Sequence, residues 1–171
     1  NVQENKGYNF IYTIPTTGGD PVMIADSTDM AHSPSWRPDG KKIMYLSSKS
    51  GFTQIWQMNP DGSNKKMVSG VPFGVSNFGF ANDGVKIWYT AEVKVTESFN
   101  EIQSDLSKST ARVYDDLMYH HWDEWADDNY SHVIYTTYSD KNGNFEGDYY
   151  DLMKDEPYDS PLKPFGGGEQ I

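Results

Sequence analysis

Cysteine is absent from the 171 residues of this chain, which excludes disulfide scaffolds, thiol catalysis and cysteine-based zinc sites. Basic residues are few: 14 lysines and arginines stand against 25 acidic residues, for a formal net charge of −11. Because phosphate binding needs a basic surface, this charge argues against nucleic acid as a partner, and it also disfavours anionic membranes. Long apolar runs are missing too, so no transmembrane helix is predicted.

Aromatic residues are what the chain has in quantity. Twelve tyrosines, eight phenylalanines and five tryptophans make up 15% of the sequence, and they can supply a core although only 36% of residues are hydrophobic. The length suggests a single domain.

A repeat runs through the first half of the chain. The segment SWRPDGKKIMYL (35–46) aligns with GFANDGVKIWYT (79–90) at a shift of 44 residues, and the same shift aligns 11–19 with 55–63. A third, weaker copy at 126–137 aligns at a shift of 46, with Val133 on Ile87. Aligned segments at a nearly constant spacing indicate a repeated structural unit.

Each unit is predicted to consist of about four short β-strands. Asp-Gly pairs stand before strand-like runs, where glycine supplies the positive φ of a tight turn. Four-stranded units with a period of 40–45 are typical of a β-propeller, and a sandwich with accidental similarity is the alternative. We predict that 41–48 and 53–59 pair antiparallel, and that 85–91 pairs within its own blade.

The repeat resembles that of a known family. SPSWRPDGKKIMYL (33–46), with the later NPDGS turn (59–63), is similar to the propeller repeat of TolB-like proteins and of the prolyl oligopeptidase family of serine peptidases. The segments 111–125, 131–140 and 156–171 resemble the propeller of the dipeptidyl- and acylaminoacyl-type exopeptidases, with the bacterial dipeptidyl peptidase 5-like members nearest. The resemblance implies a secreted or periplasmic parent protein whose separate α/β-hydrolase domain carries a Ser-Asp-His triad.

No catalytic centre is predicted within the chain itself. A hydrolase nucleophile elbow needs Gly-x-Ser-x-Gly, and GVSNFG (74–79) fails by one residue. None of the four histidines has the serine and aspartate context of a triad. We therefore predict no catalytic residue, cofactor or metal in this chain, and the parent protein would be the enzyme.

The predicted architecture is all-β: a partial propeller of four-stranded antiparallel blades with a helical insertion near 98–125. A period of 44 gives fewer than four blades, whereas propellers usually have 4–8, so we expect the chain to be a segment of a larger propeller. Its predicted parts are a partial blade at 8–30, a blade at 31–70, a blade at 71–97 interrupted by an insertion at 98–129, and a partial blade at 130–171.

Two helical elements are predicted in the insertion. SFNE (98–101) is a capping box that starts a short helix through Leu106. In 111–125 the aromatic residues Tyr114, Trp122 and Trp125 recur at helical spacing, which predicts an amphipathic helix with Trp122 and Trp125 more buried than its acidic face.

The same segment contains a candidate substrate site. An exopeptidase must recognise a free amine, and a carboxylate between aromatic rings does so by charge pairing and cation–π contact. Glu124 or Asp123, flanked by Trp122 and Trp125, has this chemistry, although the double-Glu motif of the dipeptidyl peptidase IV branch is absent in that form. Neighbouring helical positions diverge, so His120 and His121 are not predicted to share a metal ion.

Two functions are compatible with these features. The chain is either the non-catalytic part of a serine exopeptidase that gates and orients peptides, or a TolB-like propeller that binds a protein and has no peptidase activity. In the first, its partners are the peptide substrate, its own hydrolase domain and the remaining blades. An unclosed propeller exposes the flank of a sheet, which a second copy of the chain could cover in a homo-oligomer.

Overall fold

Antiparallel β-sheet accounts for nearly all of the regular structure. The computed structural model describes residues 2–106, 108–114, 120–121, 124–125, 127–163, 166 and 171. Its strands are β1 (Ile11–Thr13), β2 (Val22–Ala25), β3 (Ala31–Trp36), β4 (Ile43–Ser47), β5 (Gln54–Met58), β6 (Lys66–Met67), β7 (Asn77–Phe80), β8 (Lys86–Lys94), β9 (His120–His121), β10 (Glu124–Trp125), β11 (Asn129–Ser139) and β12 (Asn144–Asp151). The helix α1 (Phe99–Ile102) and two 3-10 turns, Ser27–Asp29 and Ser104–Leu106, complete the elements. No helix in the described part of the chain is long and apolar enough to span a bilayer.

Two four-stranded sheets form the blades. The first blade has the strand order β3-β4-β5-β6, and the second has the order β7-β8-β11-β12. Strands β1 and β2 pair with each other and form a leading pair before the first blade. The predicted pairing of 41–48 with 53–59 is confirmed by the β4–β5 ladder, in which Tyr45 faces Trp56. The predicted pairing of 85–91 is confirmed by β7 and β8.

The two Asp-Gly motifs form equivalent turns, one in each blade. In the first blade, Gly40 donates its N–H to the Arg37 carbonyl at 2.9 Å; in the second, Gly84 donates to the Ala81 carbonyl at 2.9 Å. The aspartate before each glycine accepts backbone N–H groups of the residues that follow, which satisfies donors the turn would otherwise leave open. The 44-residue repeat therefore corresponds to a repeated turn as well as to repeated strands.

Most of the third aligned segment, 126–137, lies in strand β11, which belongs to the second blade and not to a further copy of it. Strand β11 pairs antiparallel with β8 over nine residues, with Val133 opposite Thr90 and Tyr135 opposite Trp88. It therefore continues the second blade beyond the insertion. The two strands resemble each other because neighbours in one sheet meet similar surroundings, so both alternate aromatic and β-branched residues.

The apolar core lies between sheets, on both sides of the first blade. Side chains of β4 alternate: Ile43 and Tyr45 pack toward the leading pair, and Met44 and Leu46 pack toward the second blade. All five residues of β4 are buried, as expected for a strand covered on both faces. Successive sheets thus stack face to face, which is the packing of propeller blades.

A polar network ties the first blade to the second. Arg37 is 6% exposed, and its guanidinium donates to Asp140 at 2.5 Å and lies 4.8 Å from the ring centroid of Tyr138. The Tyr138 hydroxyl in turn donates to the side-chain carbonyl of Gln57 at 2.6 Å. The hydrogen bond and charge of Arg37 hold the pKa of Asp140 below its usual range. A buried tyrosine hydroxyl and a buried amide are satisfied together across the interface.

The helical prediction for the insertion is confirmed at its start and wrong further on. Ser98 and Glu101 form the predicted capping box at α1. By contrast, 111–114 is not helical, and His120–His121 and Glu124–Trp125 are strands that pair as a small hairpin. Histidine, tryptophan and aspartate are weak helix formers, and aromatic residues pair well across strands, so the hairpin prevails over the helical spacing.

Candidate functional site

The insertion leaves the second blade between its two central strands. Lys94 at the end of β8 faces Asn129 at the start of β11. The pairing continues one step outward, because the N–H of Val95 donates to the carbonyl of Asp128 at 3.1 Å. The root of the insertion is therefore an extension of the sheet, which fixes where the insertion begins and ends.

Helix α1 is fastened to this root by an ion pair. Lys94 Nζ contacts the carboxylate of Glu101, which also accepts the backbone N–H of Ser98 at 2.7 Å. The hydrogen bond from Lys94 is the main reason that the pKa of Glu101 falls to about 2. Asn100 Nδ2 donates to the Ser109 carbonyl at 2.9 Å and thereby connects the helix to the outgoing chain. These contacts connect the root of the insertion to helix α1 and to Ser109.

Three aromatic rings gather at the β9–β10 hairpin. Trp125 pairs with His120 across the hairpin, and their rings are 4.4 Å apart between centroids. The ring of Tyr114 stacks on Trp125 at 6.0 Å with an angle of 24° between planes. Trp125 is 52% exposed. The prediction that Trp125 is more buried than Asp116 and Glu124 stays a prediction, because those two side chains lie outside the described ones. The cluster presents an aromatic surface to solvent, as a ligand platform does.

The structure describes only part of the predicted amine site. Trp125 belongs to the aromatic cluster, and the backbone of Glu124 lies beside it in β10. Asp123 and Trp122 lie outside the described residues, as do the side chains of Glu124 and His121. Among the side chains that the structure describes, no group of three or more histidine and acidic residues could hold a metal ion.

Carboxylates next to the hairpin already have structural roles. Asp127 accepts the backbone N–H of Asn129 at 2.9 Å and its side-chain amide at 3.0 Å. Arg112 Nη1 donates to the Tyr114 hydroxyl at 3.4 Å; this contact, with the charges of Asp127 and Asp128, raises the pKa of Arg112. A ligand at the cluster would therefore meet ordered acidic groups as well as rings.

Sequence reasoning missed the pairing of His120 with Trp125. The segment HHWDEW carries a signal that could have shown it, because two aromatic residues five positions apart with an acidic pair between them can face each other across a short hairpin. The helical interpretation had instead placed Tyr114 and Trp125 on a single buried face.

Comparisons with known proteins agree on the fold. The chain is 32% identical over 170 residues to dipeptidyl-peptidase 5 of Porphyromonas endodontalis, an alignment that covers 99% of this chain and 24% of that protein. Among solved structures, the acylaminoacyl peptidase of Pyrococcus horikoshii matches with a TM-score of 0.61 and 16% identity, over 88% of this chain and 22% of that one. The β-propeller domain of the Trilobed protease of Pyrococcus furiosus matches with a TM-score of 0.50 and 13% identity, over 86% of this chain and 36% of that one. No family model matches the sequence.

These matches confirm two predictions made from the sequence. The blades have the propeller architecture, and the resemblance to dipeptidyl peptidase 5-like proteins extends over nearly the whole chain. The chain spans about a quarter of the length of that relative.

Proposed function

We propose that this chain, which is homologous to dipeptidyl-peptidase 5 over 99% of its length, is the part of a serine exopeptidase propeller that gates and orients peptide substrates. The observation that carries the proposal is this homology, together with an exposed aromatic hairpin rising from the second blade. The chemistry would belong to an α/β-hydrolase domain elsewhere in the parent protein. The remaining blades and that domain would be the chain's own partners.

The physical role would be to position the substrate. The blades would limit which molecules reach the catalytic cleft of the hydrolase domain. Holding one end of a peptide would also orient its scissile bond, which lowers the activation barrier without any added chemical step. The net charge of −11 suits a substrate that enters with a cationic amino terminus. We place the parent protein in the periplasm or outside the cell, on the strength of the resemblance.

Excision of the insertion tests the proposal in the full-length protein. Residues 96–127 are replaced by a two-residue Asn-Gly turn joining Val95 to Asp128, whose backbones already pair. We expect kcat/KM for dipeptidyl amides to fall about 10- to 100-fold, since orientation is lost, while hydrolysis of a small activated ester by the same serine persists. An unchanged kcat/KM, or an equal loss on both substrates, would contradict a role in orienting peptides.

The amine site gives a second prediction. In the parent enzyme, Glu124→Gln should raise KM for peptides with a free amino terminus about 10- to 100-fold, because a charge-assisted hydrogen bond to the ammonium group is lost. Substrates with a blocked amino terminus should be unaffected. Glu97→Gln, the same change at an exposed carboxylate near the start of the insertion, is the matched control. Equal effects of Glu124→Gln on free and blocked peptides would remove the site.

A further inference from the structure

After β12 the chain wraps around the end of β11. We call residues 152–163 the strap. Its first residue, Leu152, donates its N–H to the Val133 carbonyl at 3.0 Å, and Ser160 donates to the Ser131 carbonyl at 2.7 Å. The N–H of Ser131 in turn donates to Asp159 at 2.8 Å. The strap therefore occupies an edge of β11 that β12 leaves unpaired.

One histidine is enclosed where the strap meets the sheet. His132 of β11 is 0% exposed. Its Nδ1 lies 2.8 Å from a carboxylate oxygen of Asp151 on β12, and its Nε2 lies 3.0 Å from the backbone carbonyl oxygen of Glu156 in the strap. Both neighbours are hydrogen-bond acceptors. A neutral imidazole has a single N–H, so only the doubly protonated ring can donate to both.

The groups next to these two acceptors do not change the count of donors and acceptors at the ring. The second oxygen of Asp151 accepts the N–H of Met153 at 2.9 Å, so this carboxylate also shapes the first turn of the strap. Asp151 also interacts with Tyr89 of β8; burial raises the pKa of Tyr89, with smaller contributions from Tyr149 and Asp151, so Tyr89 stays neutral. Glu156 faces the ring only through its carbonyl, because its own side chain is exposed.

We infer that His132 is a proton-operated latch that holds the strap against the second blade. With the extra proton bound, the ring donates to Asp151 and to the strap at once. When that proton leaves as the pH rises, one ring nitrogen faces an oxygen lone pair inside the protein, where an unsatisfied polar group is costly. The strap is therefore held at acidic pH and loosened at alkaline pH.

The latch lies close to the root of the insertion. Lys163 at the end of the strap forms an ion pair with Glu92 of β8 at 2.9 Å, two residues before Lys94. Release of the strap would free the side of β8 and β11 from which the insertion rises. The inference does not depend on the proposed function, because it concerns only how the strap is held.

Hydrogen exchange of the full-length protein tests the latch. Protection factors for a peptide spanning 152–160, corrected for the intrinsic effect of pH on exchange, are compared between about pH 5 and pH 8, the range in which imidazoles change charge. We expect protection of the strap to fall about tenfold toward pH 8, the effect of one unsatisfied buried group. Strands β4 and β5 serve as the internal reference. If the protection of the strap does not change across this pH range, the inference is wrong, and no variant is needed to show it.

Asp151→Asn is the decisive variant. An asparagine can accept from Met153 with its oxygen and donate its amide N–H to Nδ1, while the neutral ring still donates from Nε2 to Glu156. The strap should then stay protected at pH 8, and its pH dependence should fall below about twofold. A retained tenfold drop would overturn the latch. His132→Gln should also abolish the pH dependence. His32→Gln, at a histidine of β3 whose Nδ1 lies 3.1 Å from the Ser33 hydroxyl, should leave it intact.

Discussion

Replacing Gly62 by alanine is expected to destabilise the protein by about 3 kcal/mol, through backbone strain and a collision between sheets. Gly62 lies in the turn between β5 and β6 with a φ of +82°, a region that disfavours side chains. An added Cβ would lie 2.8 Å from the carbonyl oxygen of Ile24 in β2 and 3.1 Å from its Cα. The obstacle is backbone, so the leading pair and the first blade would have to separate.

Gly40→Ala is the matched control for this effect. Gly40 also lies in a blade turn with a positive φ, +69°, but a Cβ there meets no atom within 4 Å. Its replacement should therefore cost only the conformational term, about 1 kcal/mol. Urea unfolding of the full-length protein, followed by tryptophan fluorescence, measures both losses. Equal losses at the two positions would show that Gly62 is not constrained by contact with β2.

Leu46→Ala should be about as damaging, for a different reason. Leu46 is 1% exposed and belongs to the apolar cluster between the two blades, among Met44, Ile55 and Ile87. Removing its side chain leaves a cavity at an interface that neither sheet can close alone, and such cavities cost about 2–5 kcal/mol. We expect the urea midpoint to fall accordingly.

Leu106→Ala is the corresponding control at the surface. Leu106 is 47% exposed in the insertion, so the same truncation there should change the free energy of unfolding by about 0.5 kcal/mol or less. Similar losses at Leu46 and Leu106 would contradict the assignment of the core to the space between blades. The comparison thus tests the stacking of sheets by a route independent of the glycine pair.

Local turn chemistry made much of the fold predictable. Asp39-Gly40 and Asp83-Gly84 mark the same turn in two blades, and the strand that follows each of them pairs as expected. These features depend on residues close together in the chain, so a single sequence contains the information. The same holds for Ser98 and Glu101, whose capping box needs only a spacing of three.

Contacts across long separations were harder to foresee. The likeness of β11 to β8 indicated a further copy of the repeat, but sequence similarity does not distinguish a neighbouring strand from an equivalent strand in another blade. The candidate site was mispredicted for another reason. A spacing of three or four residues fits a helix, but the same segment forms a hairpin in which His120 pairs with Trp125. The acceptors around His132, supplied by Asp151 and Glu156, likewise become neighbours only in the folded chain.

Lys94 and Asn129 face each other as a strand pair, so the two ends of the insertion stay at the distance of neighbouring strands whatever lies between them. The entropy lost in closing such a loop grows only with the logarithm of its length. Lengthening, shortening or exchanging the insertion therefore leaves the register of β8 and β11 intact. A propeller built in this way can exchange its insertion by recombination at a single pair of positions, while the sequences of its blades stay under separate selection for packing.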